Sequence, residues 1–561
     1  MRPVPALPAL RHPLVLRLWL AVLRTPFAGG AVAPVLSALG LPAWRRVPVD
    51  DPPTFFPRPP RVPGSLPWNR EEVARQAWQS GGPSRVRALR EGFEKGDWTP
   101  LQVARAFLRA WRQSEADAPP LRAFVRVEEE QVLRHARAAT ERWQQQSTLG
   151  LLDGVPFGIK DEFHFPPYPT TFGLKGLNHL PATPSSVVAY WESAGGIPAG
   201  KTNMHEFGMG VTGLNLSYGT ARNPYHPEHA PGGSSSGSAV AVASGLVPLA
   251  LGADAGGSIR LPAAFCGVYG LKPTFGRVSL AHAGPLAWSV SHAGPMAATV
   301  TDLALGLAYL AGPDARDPHT WDQPPLQLAG WHHGTLQGVV VGVDRGWMSG
   351  TDTEIADALE DLLSLLARQG AQVQEVHLPH LDEAMLAHLV TVGTELSHTV
   401  HAWLAQGKVP FSQAAPDVQS LVAMVRVFRS DDYLRAQRWR TRAIHVVEEA
   451  LRSVHVLLTP ASAILPPRLS EGVRRHGELN TTQMLYIMRF VFLANLTGHP
   501  ALTLPVGLSR NGLPLAVQAI GRYWDEATLL RVAWMVEKEQ GPLPPPRRFY
   551  DLIQFLSEGA T

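Results

Sequence analysis

The 561-residue chain is poor in cysteine and has little excess charge of either sign. Its one cysteine, Cys266, excludes an intrachain disulfide framework and a zinc site built from clustered cysteines. Lysine plus arginine (50) nearly balance aspartate plus glutamate (47), and no basic run in the main body is interleaved with aromatic residues, so no nucleic-acid partner is expected. A regular membrane-spanning helix is not expected either, because three prolines and three glycines interrupt the uncharged run at 25–44.

Residues 1–70 are predicted to form an N-terminal extension that ends in a proline-rich junction at 47–67. Its first 50 residues contain one acid and six arginines: Arg2, Arg11, Arg17, Arg24, Arg45 and Arg46. The apolar run at 14–23, with its arginine flanks, is typical of a helix lying in a membrane interface. Two interpretations stay open for residues 1–47, a peripheral membrane contact and an arm packed on the domain.

A secretory signal is disfavoured, although "AVA" at 31–33 resembles a signal-peptidase site. Arg17 and Arg24 break the continuous apolar region that a signal peptide requires. We therefore expect a cytoplasmic protein, with membrane association through the extension left open.

Residues 71–561 are predicted to form one large α/β domain. A helix is expected to begin after Thr99 as N-cap and Pro100 as first residue, with an apolar face of Leu101, Ala104, Leu108 and Trp111. Further along, a buried strand at 338–343, an amphipathic helix closed by Gly370 and a strand at 371–378 form a βαβ unit. More strands are expected at 454–458 and 501–507, and helices over 390–450. This pattern favours a parallel or mixed sheet with helices packed on it.

Two short motifs compete for the function. "GGIPAGKT" at 195–202 matches the phosphate-binding pattern, with Lys201 and Thr202 as phosphate and magnesium ligands. The preceding segment reads as a helix instead of the required strand, however, and Pro198 removes an N–H group from the loop. "GSSSG" at 233–237 matches a nucleophile elbow with Ser235 as nucleophile, but no strand precedes it.

A third interpretation takes the two Gly/Ser clusters, around Ser234 and around Ser258, together. The segment between them, "SAVAVASGLVPLALGAD", can form a helix followed by a buried strand that retraces its length. The two clusters can then meet in one pocket. The consecutive N–H groups of "AGGS" can point at a single spot, as an oxyanion hole requires. Glycines that merely permit tight packing are the alternative.

These residues resemble the amidase signature family of serine hydrolases. The resemblance is carried by "GGSSSGSAVAVASGLVPLALGADAGGSIRLPAAFCGVYGLKPTFGRVS", and by "LLDGVPFGIKDEF" and "GGIPAGKTNMHEFGMG" before it. "SHAGPMAATVTDLALGLAYLAGPDARDP" and "ANLTGHPALTLPVGLSRNGLPLAVQAIGR" follow in the family's order. The similarity covers roughly residues 85 to 540. It also accounts for the match to the phosphate-binding pattern. The resemblance implies the α/β fold of this family, a large central mixed β-sheet covered by helices on both faces.

The resemblance implies a catalytic triad of Ser258 as nucleophile, Ser234 as bridging serine in a cis peptide, and Lys160 as base. Ser234 would accept the proton of Ser258 while donating its own to Lys160, and would later return a proton to the leaving amine. Lys160 can act as a base only when neutral. Its ordinary pKa of about 10.4 is lowered by burial away from carboxylates. The 21 histidines have no catalytic role in this interpretation.

Further site residues are implied by the same resemblance. The backbone N–H groups of four consecutive residues would form the oxyanion hole: Ala255, Gly256, Gly257 and Ser258. Relatives carry threonine in place of Ala255, a change of small effect because the N–H group does the work. Asp254 and Arg260 would hold this loop, and Gly208 would turn its carbonyl toward the substrate. Cys266 is expected in the packed core, and a nitrilase-like cysteine nucleophile is disfavoured.

The expected function is therefore cofactor-independent and metal-independent hydrolysis of a small-molecule amide through an acyl-enzyme. The substrate is left open, with the variable part at 380–490, and in it 394–406 and 484–498, expected to form the pocket walls. A glutaminase of the amidotransferase type, working with partner subunits, is the alternative within the family, and the extension and the short C-terminal tail argue against it. A catalytically silent binding protein is the alternative outside enzymes. A homodimer is left open.

Overall fold

The structure of the chain is a computed structural model that describes residues 9–23, 25, 28–57, 59–61, 68–284, 286–332 and 334–557. Arg2 and Arg24 of the extension, and positions 58 and 62–67 of the proline-rich junction, lie outside the described residues.

The strands of the described chain form one eleven-stranded sheet. They are β1 (Phe124–Arg126), β2 (Pro156–Lys160), β3 (Ile197–Thr202), β4 (Leu249–Asp254), β5 (Tyr269–Lys272), β6 (His292–Ala297), β7 (Val340–Val343), β8 (Gln372–Glu375), β9 (Val456–Pro460), β10 (Ala501–Leu508) and β11 (Pro514–Gly521). The order across the sheet is β1-β3-β2-β4-β6-β5-β10-β11-β9-β7-β8. The sheet is mixed: β2 is parallel to β3 and β4, and β7 is parallel to β8 and β9, whereas the remaining pairs are antiparallel.

Helices precede, connect and follow these strands. They are α1 (Pro13–Leu23), α2 (Ala28–Ala38), α3 (Leu41–Trp44), α4 (Arg70–Trp78), α5 (Arg85–Lys95), α6 (Pro100–Ala116), α7 (Glu129–Gln144), α8 (Ser186–Ser193), α9 (Ser236–Ala243), α10 (Arg260–Cys266), α11 (Val300–Leu310), α12 (Thr353–Arg368), α13 (Leu381–Gln406), α14 (Pro416–Val425), α15 (Ser430–Ser453), α16 (Glu471–His476), α17 (Thr481–Met488), α18 (Phe492–Thr497), α19 (Glu526–Gln540) and α20 (Leu552–Ser557).

Helices cover both faces of the sheet. Successive side chains of a strand point to opposite faces. In β9, Leu458 packs in the cluster that includes α11, α12 and α19, whereas its neighbour Leu457 packs in the cluster of α13, α15 and α18. This arrangement confirms the expected α/β fold with a large mixed sheet.

Most predicted elements are present. Thr99 caps α6 with a capping box to Gln102, and Pro100 is its first residue. The buried face of α6 is centred on Val103 and Phe107, so Leu101 and Trp111, which were placed on the apolar face, are only half-buried. The βαβ unit is confirmed, because β7 and β8 pair in parallel on either side of α12.

The extension folds back on the body. Trp44 donates its indole N–H to the carbonyl of Glu383 (3.2 Å), and Arg45 forms an ion pair with Asp432 (2.6 Å). Helix α1 packs on α14, and α3 on α13. The interpretation of a packed arm is therefore confirmed for its described residues. No helix among them is long and apolar enough to span a bilayer.

Candidate active site

The phosphate-loop motif is part of the sheet. Its residues Ile197–Thr202 form β3, so the loop that would surround a phosphate is absent from this described segment. Lys201 is buried and donates to the carbonyl of Phe163 (2.6 Å) beside Asp161 (3.1 Å). Because this ammonium is already paired inside the protein, the nucleotide-binding interpretation is wrong.

The "GSSSG" motif at 233–237 does not expose its central serine, Ser235. Ser235 is fully buried, and its hydroxyl donates to the carbonyl of Ala253 (3.2 Å). An irregular segment precedes it in place of a strand. The interpretation of Ser235 as nucleophile is therefore wrong.

The two Gly/Ser clusters meet, as the helix–strand interpretation of the segment between them requires. Helix α9 leaves the first cluster and β4 returns to the second, where the N–H of Ser235 donates to the carbonyl of Ser258 (3.1 Å). Lys160 is the last residue of β2, which runs parallel to β4. Parallel neighbouring strands end at the same edge of a sheet, so Lys160 lies beside the clusters. Lys160, Ser234 and Ser258 all line one cavity.

Lys160 and Ser234 are in direct contact. The Nζ of Lys160 donates to Ser234 Oγ (2.8 Å) and to the carbonyl of Ala253 (3.2 Å). Both side chains are about 1% exposed. The Gly233–Ser234 peptide is cis, as expected at this position. Ser258 is more open and faces the cavity.

One expectation about the lysine is wrong. Lys160 is not buried away from carboxylates, because its Nζ lies 2.9 Å from Oε2 of Glu162, which is itself buried and lines the cavity. Burial disfavours an ammonium ion and a carboxylate in contact favours it, so the two effects oppose each other here. The contact with Glu162 could have been predicted from the sequence. Glu162 lies two positions after Lys160, and residues two apart in an extended segment share a face.

The loop after β4 holds free N–H groups near Ser258. Gly257 donates its N–H to Oδ1 of Asp254 (2.7 Å), so this N–H points away from the cavity. Within the described chain, the N–H groups of Ala255, Gly256 and Ser258 donate to no other group. Gly257 has φ +108°, and a Cβ there would lie 2.4 Å from Val491 Cγ2, so no larger residue fits.

Asp254 and Arg260 anchor this loop. The guanidinium donates to both carboxylate oxygens (3.0 Å each) and to the carbonyl of Val491 (2.8 Å). Burial alone would raise the pKa of Asp254, but Arg260 and the N–H groups of Gly257 and Ile259 hold it well below its usual range. The charge therefore stays on Asp254 and keeps the loop fixed.

His388 also holds the loop, a structural contact that the sequence analysis, which considered histidines only as catalytic groups, did not predict. Its Nε2 lies 2.9 Å from the carbonyl oxygen of Ala255, and a Cβ on Gly256 would lie 2.9 Å from its ring. Burial lowers the pKa of His388 to about 4, so the ring is neutral at neutral pH and its Nε2–H donates. His388 lies on α13, 133 residues from the loop, and no local pattern indicates such a contact.

The cavity has a polar end and apolar walls. Its space amounts to about 1110 Å³, part of it open to solvent. The polar groups cluster at Lys160, Ser234 and Ser258. The walls are contributed by α13 (Leu389, Val392, Leu396), α14 (Leu421, Met424, Val425) and α17 (Met484, Leu485, Met488). Of the predicted wall at 484–498, only the first turns line the cavity. Of the predicted wall at 394–406, only Leu396 does, and the part of α13 that lines the cavity begins at His388, before the predicted segment.

The extension supplies part of the wall as well. Leu36 in α2 and Leu39, just after it, line the same cavity. Gly208 lines it near the polar end, where a Cβ would lie 3.5 Å from Ser234 Oγ. Cys266 is fully buried, and its thiol donates to the carbonyl of Pro231 (3.2 Å), which confirms its place in the core.

Comparison with known proteins gives consistent matches. The family model described as "Amidase" matches residues 104–530. A fatty acid amide hydrolase of Medicago truncatula is 36% identical over 496 residues, covering 87% of this chain and 80% of that protein. The A-type subunit of a glutamyl-tRNA(Gln) amidotransferase of Chloroflexus aggregans is 35% identical over 480 residues, covering 80% and 94%. The solved peptide amidase of Stenotrophomonas maltophilia superposes with a TM-score of 0.70 at 26% identity, covering 84% of this chain and 99% of that one.

Proposed function

The chain belongs to the amidase signature family and hydrolyses carbon–nitrogen amide bonds, and from this premise we propose that Ser258, Ser234 and Lys160 perform the reaction. The observation that carries the proposal is the 2.8 Å contact of Lys160 Nζ with Ser234 Oγ in the cavity that Ser258 lines. Each residue has the chemistry that its role requires.

Ser258 Oγ attacks the carbonyl carbon of the amide. Its proton passes to Ser234 Oγ as the proton of Ser234 passes to Lys160 Nζ. The transfer then runs in reverse, the proton reaches the amide nitrogen, the carbon–nitrogen bond breaks and the amine leaves. Water attacks the acyl-Ser258 ester by the same route, releases the carboxylic acid and restores the serine.

The developing negative charge on the carbonyl oxygen is stabilised by the free N–H groups of the loop after β4. Of the four residues expected to contribute, Ala255, Gly256 and Ser258 have N–H groups available, while that of Gly257 is bound to Asp254. Oriented donors stabilise the transition state more than the ground state.

The role of Lys160 is tested by Lys160→Ala. General acid–base catalysis contributes about 10²–10⁴-fold, so we expect amide hydrolysis at neutral pH to fall by at least about 100-fold. The measurement is kcat/KM for one amide, with circular dichroism to show that the variant is folded. Activity near that of the wild type would exclude Lys160 as base.

The apolar walls favour an amide of a long-chain carboxylic acid, the substrate class that the name of the Medicago relative also indicates. Burying a methylene group contributes about 0.8 kcal/mol. For primary amides of increasing chain length, kcat/KM should therefore rise roughly fourfold per methylene until the cavity is filled. A kcat/KM that does not change with chain length, or a preference for glutamine, would favour the glutaminase-type alternative. The polar substrate of a glutaminase does not match these apolar walls.

We also propose that residues 1–47 of the extension contact a bilayer. Leu14 (62% exposed) and Leu18 (67% exposed) lie on the outer face of α1, with exposed Arg17 between them. The inner face of α1 packs on α14, which lines the cavity. Apolar side chains beside a cation suit an anionic lipid surface.

The membrane contact is tested with the double variant Leu14→Asp/Leu18→Asp. It should lose co-sedimentation with vesicles of anionic phospholipid, because two charges replace the apolar face. The control is Leu149→Asp/Leu180→Asp, which changes two leucines of comparable exposure (52% and 69%) outside the extension. Equal sedimentation of wild type and both variants would contradict the proposal.

A further inference from the structure

One wall of the catalytic cavity is the segment 286–291, which leads into β6. The first residue of this segment, Leu286, lies near the bridging serine. A Cβ on Gly208 would be 3.1 Å from Leu286 Cδ1 and 3.5 Å from Ser234 Oγ, so both groups approach the same point. Leu286 and Ser234 also line the same cavity. This end of the segment therefore borders the path that the proton takes in the proposed reaction.

The other end of the segment, Ser291, borders the oxyanion loop. Strands β4 and β6 are antiparallel neighbours, and Asp254 is paired with His292. The next residues beyond this pair are Ala255 and Ser291, which therefore lie at the same end of the two strands. Both line the catalytic cavity. Ser291 is thus a neighbour of the first free N–H group of the oxyanion loop.

Buried hydrogen bonds hold the segment in place. Asn495 joins it to the oxyanion loop, because its side-chain amide donates to the carbonyls of Val290 (3.1 Å) and Asp254 (2.9 Å). Ser289 donates its N–H (2.9 Å) and its hydroxyl (2.5 Å) to the carboxylate of Glu395. The residue that follows Val290 is therefore fixed relative to the loop, as a group that acts in catalysis must be.

The hydroxyl of Ser291 is free. Ser291 is 4% exposed, and its hydroxyl has no hydrogen-bond partner in the described part of the chain, yet Oγ keeps accessible surface. The hydroxyl of Ser289, two residues earlier, is bound to Glu395 and so is not available. A serine hydroxyl can donate one hydrogen bond and accept others. Ser291 thus offers an unused polar group to the catalytic cavity.

A second cavity lies on the far side of Ser291. Its space is about 770 Å³, part of it open to solvent, and Ser291 lines both this cavity and the catalytic one. Arg316, Asp317 and His319 are among its polar lining residues, whereas the catalytic cavity has apolar walls beyond its polar end. Ser291 therefore lies between an apolar cavity and a more polar, solvent-open one.

The second half of the proposed reaction needs a water molecule at this place. While the acyl chain fills the apolar cavity, it excludes water from that side. The attacking water must lie at the carbonyl carbon of the ester and within reach of Ser234, which takes its proton. An ordered water needs about two to four polar partners. Ser234 supplies one partner, and the free hydroxyl of Ser291 is suited to supply another.

We propose that the hydroxyl of Ser291 holds the water that hydrolyses the acyl-enzyme. The water oxygen bonds to the carbonyl carbon of acyl-Ser258, and one water proton passes through Ser234 to Lys160. The bond from that carbon to Ser258 Oγ then breaks, and the same proton returns through Ser234 to Ser258. Ser291 orients the water and neither gains nor loses a proton. This inference rests on the proposed function.

The test uses the para-nitrophenyl ester of a long-chain carboxylic acid. Its good leaving group makes acylation fast, so a burst of nitrophenolate reports acylation and the steady-state rate reports hydrolysis of the acyl-enzyme. Acylation uses no water, so Ser291→Ala should keep the burst rate within about twofold and lower the steady-state rate at least about tenfold. Acyl-Ser258 should accumulate, as measured by mass spectrometry of the intact protein. Two rates that are both unchanged, or that fall by the same factor, overturn the proposal.

Ser291→Thr keeps the hydroxyl and should restore the steady-state rate to within about threefold of the wild type. The matched control is Thr481→Val, which removes another hydroxyl of the catalytic cavity wall at a similarly buried position (6% exposed). This control should leave the ratio of the two rates unchanged. A threonine variant as slow as the alanine variant, or the same change of ratio in Thr481→Val, overturns the role of the Ser291 hydroxyl.

The acyl adduct separates this inference from the proposed function. An adduct on Ser258 in the wild type, absent in Ser258→Ala, reports on the triad alone. If that adduct forms and its hydrolysis does not depend on Ser291, the triad stands and the role of Ser291 is overturned. If no adduct forms on Ser258, the proposed function fails and this inference fails with it.

Discussion

Lys160 has three acceptors around its Nζ: Ser234 Oγ, the carbonyl of Ala253 and the carboxylate of Glu162. An ammonium ion has three N–H donors, so this environment satisfies the charged lysine completely. Glu162 is therefore part of the immediate surroundings of the proposed base.

His388 is expected to act as a positioning residue through the carbonyl of Ala255. Its replacement by leucine should lower kcat at least tenfold and leave KM within about threefold, because oriented N–H donors act mainly in the transition state. His388→Gln should restore most of kcat, since its amide N–H₂ can donate to the same carbonyl. If KM rises while kcat holds, or if glutamine fails to rescue, His388 only shapes the substrate cavity.

At the scale of elements, the sequence motifs predicted which residues meet at the polar end of the cavity. Lys160, Ser234 and Ser258 lie in segments whose composition and order are specific, and helix α9 followed by β4 can be read from the residues between the clusters. Glu162 was overlooked although it lies in the same motif as Lys160. His388, Leu36 and Leu39 reach the cavity from distant elements, and their positions depend on packing between helices that no local pattern encodes.

The extension should affect substrate choice. Leu39→Trp fills space in the cavity wall and should lower kcat/KM for a long-chain amide by about tenfold, while a short-chain amide changes less than threefold. Steady-state kinetics on the two amides measure this. Leu149→Trp, at an exposed position away from the cavity, is the control. Equal losses on both amides would show that Leu39 does not contact the acyl chain.

For the molecule as a whole, the α/β class and several strands followed from periodicity, but the sheet order did not. Strand β5 pairs with β10 through Leu271 and Leu502, more than two hundred residues apart. Such pairings depend on which faces of the strands are buried together. The alternation of apolar and polar residues within one strand does not specify its neighbour in the sheet. Whether residues 1–47 pack on the body also depends on burial between distant segments, so the sequence left both interpretations of the extension open.

Stability should fall between pH 6 and pH 8 because of Glu537. Burial, with a further contribution from Asp302, raises the pKa of Glu537 to about 8, whereas an unfolded glutamate titrates near 4.3. Between these values the native state binds more protons than the unfolded state, so the free energy of unfolding falls as pH rises.

Glu537→Gln removes this titration. Each pH unit corresponds to at most about 1.4 kcal/mol, so from pH 6 to pH 8 the wild type should lose about 2 kcal/mol relative to the variant. Urea unfolding at both pH values measures the difference. Glu539→Gln, an exposed neighbour on α19, should follow the wild type. Parallel pH curves for wild type and Glu537→Gln would contradict a protonated, buried Glu537.

The central claim, that Ser258 is the nucleophile activated through Ser234 and Lys160, is tested most directly by covalent labelling. The full chain is treated with a fluorophosphonate probe of serine hydrolases, and the adduct is located by mass spectrometry of the intact protein and its peptides. The account predicts a single adduct on Ser258, absent in Ser258→Ala and strongly reduced in Lys160→Ala. An adduct on Ser235, or labelling of Ser258 that persists undiminished in Lys160→Ala, would contradict it.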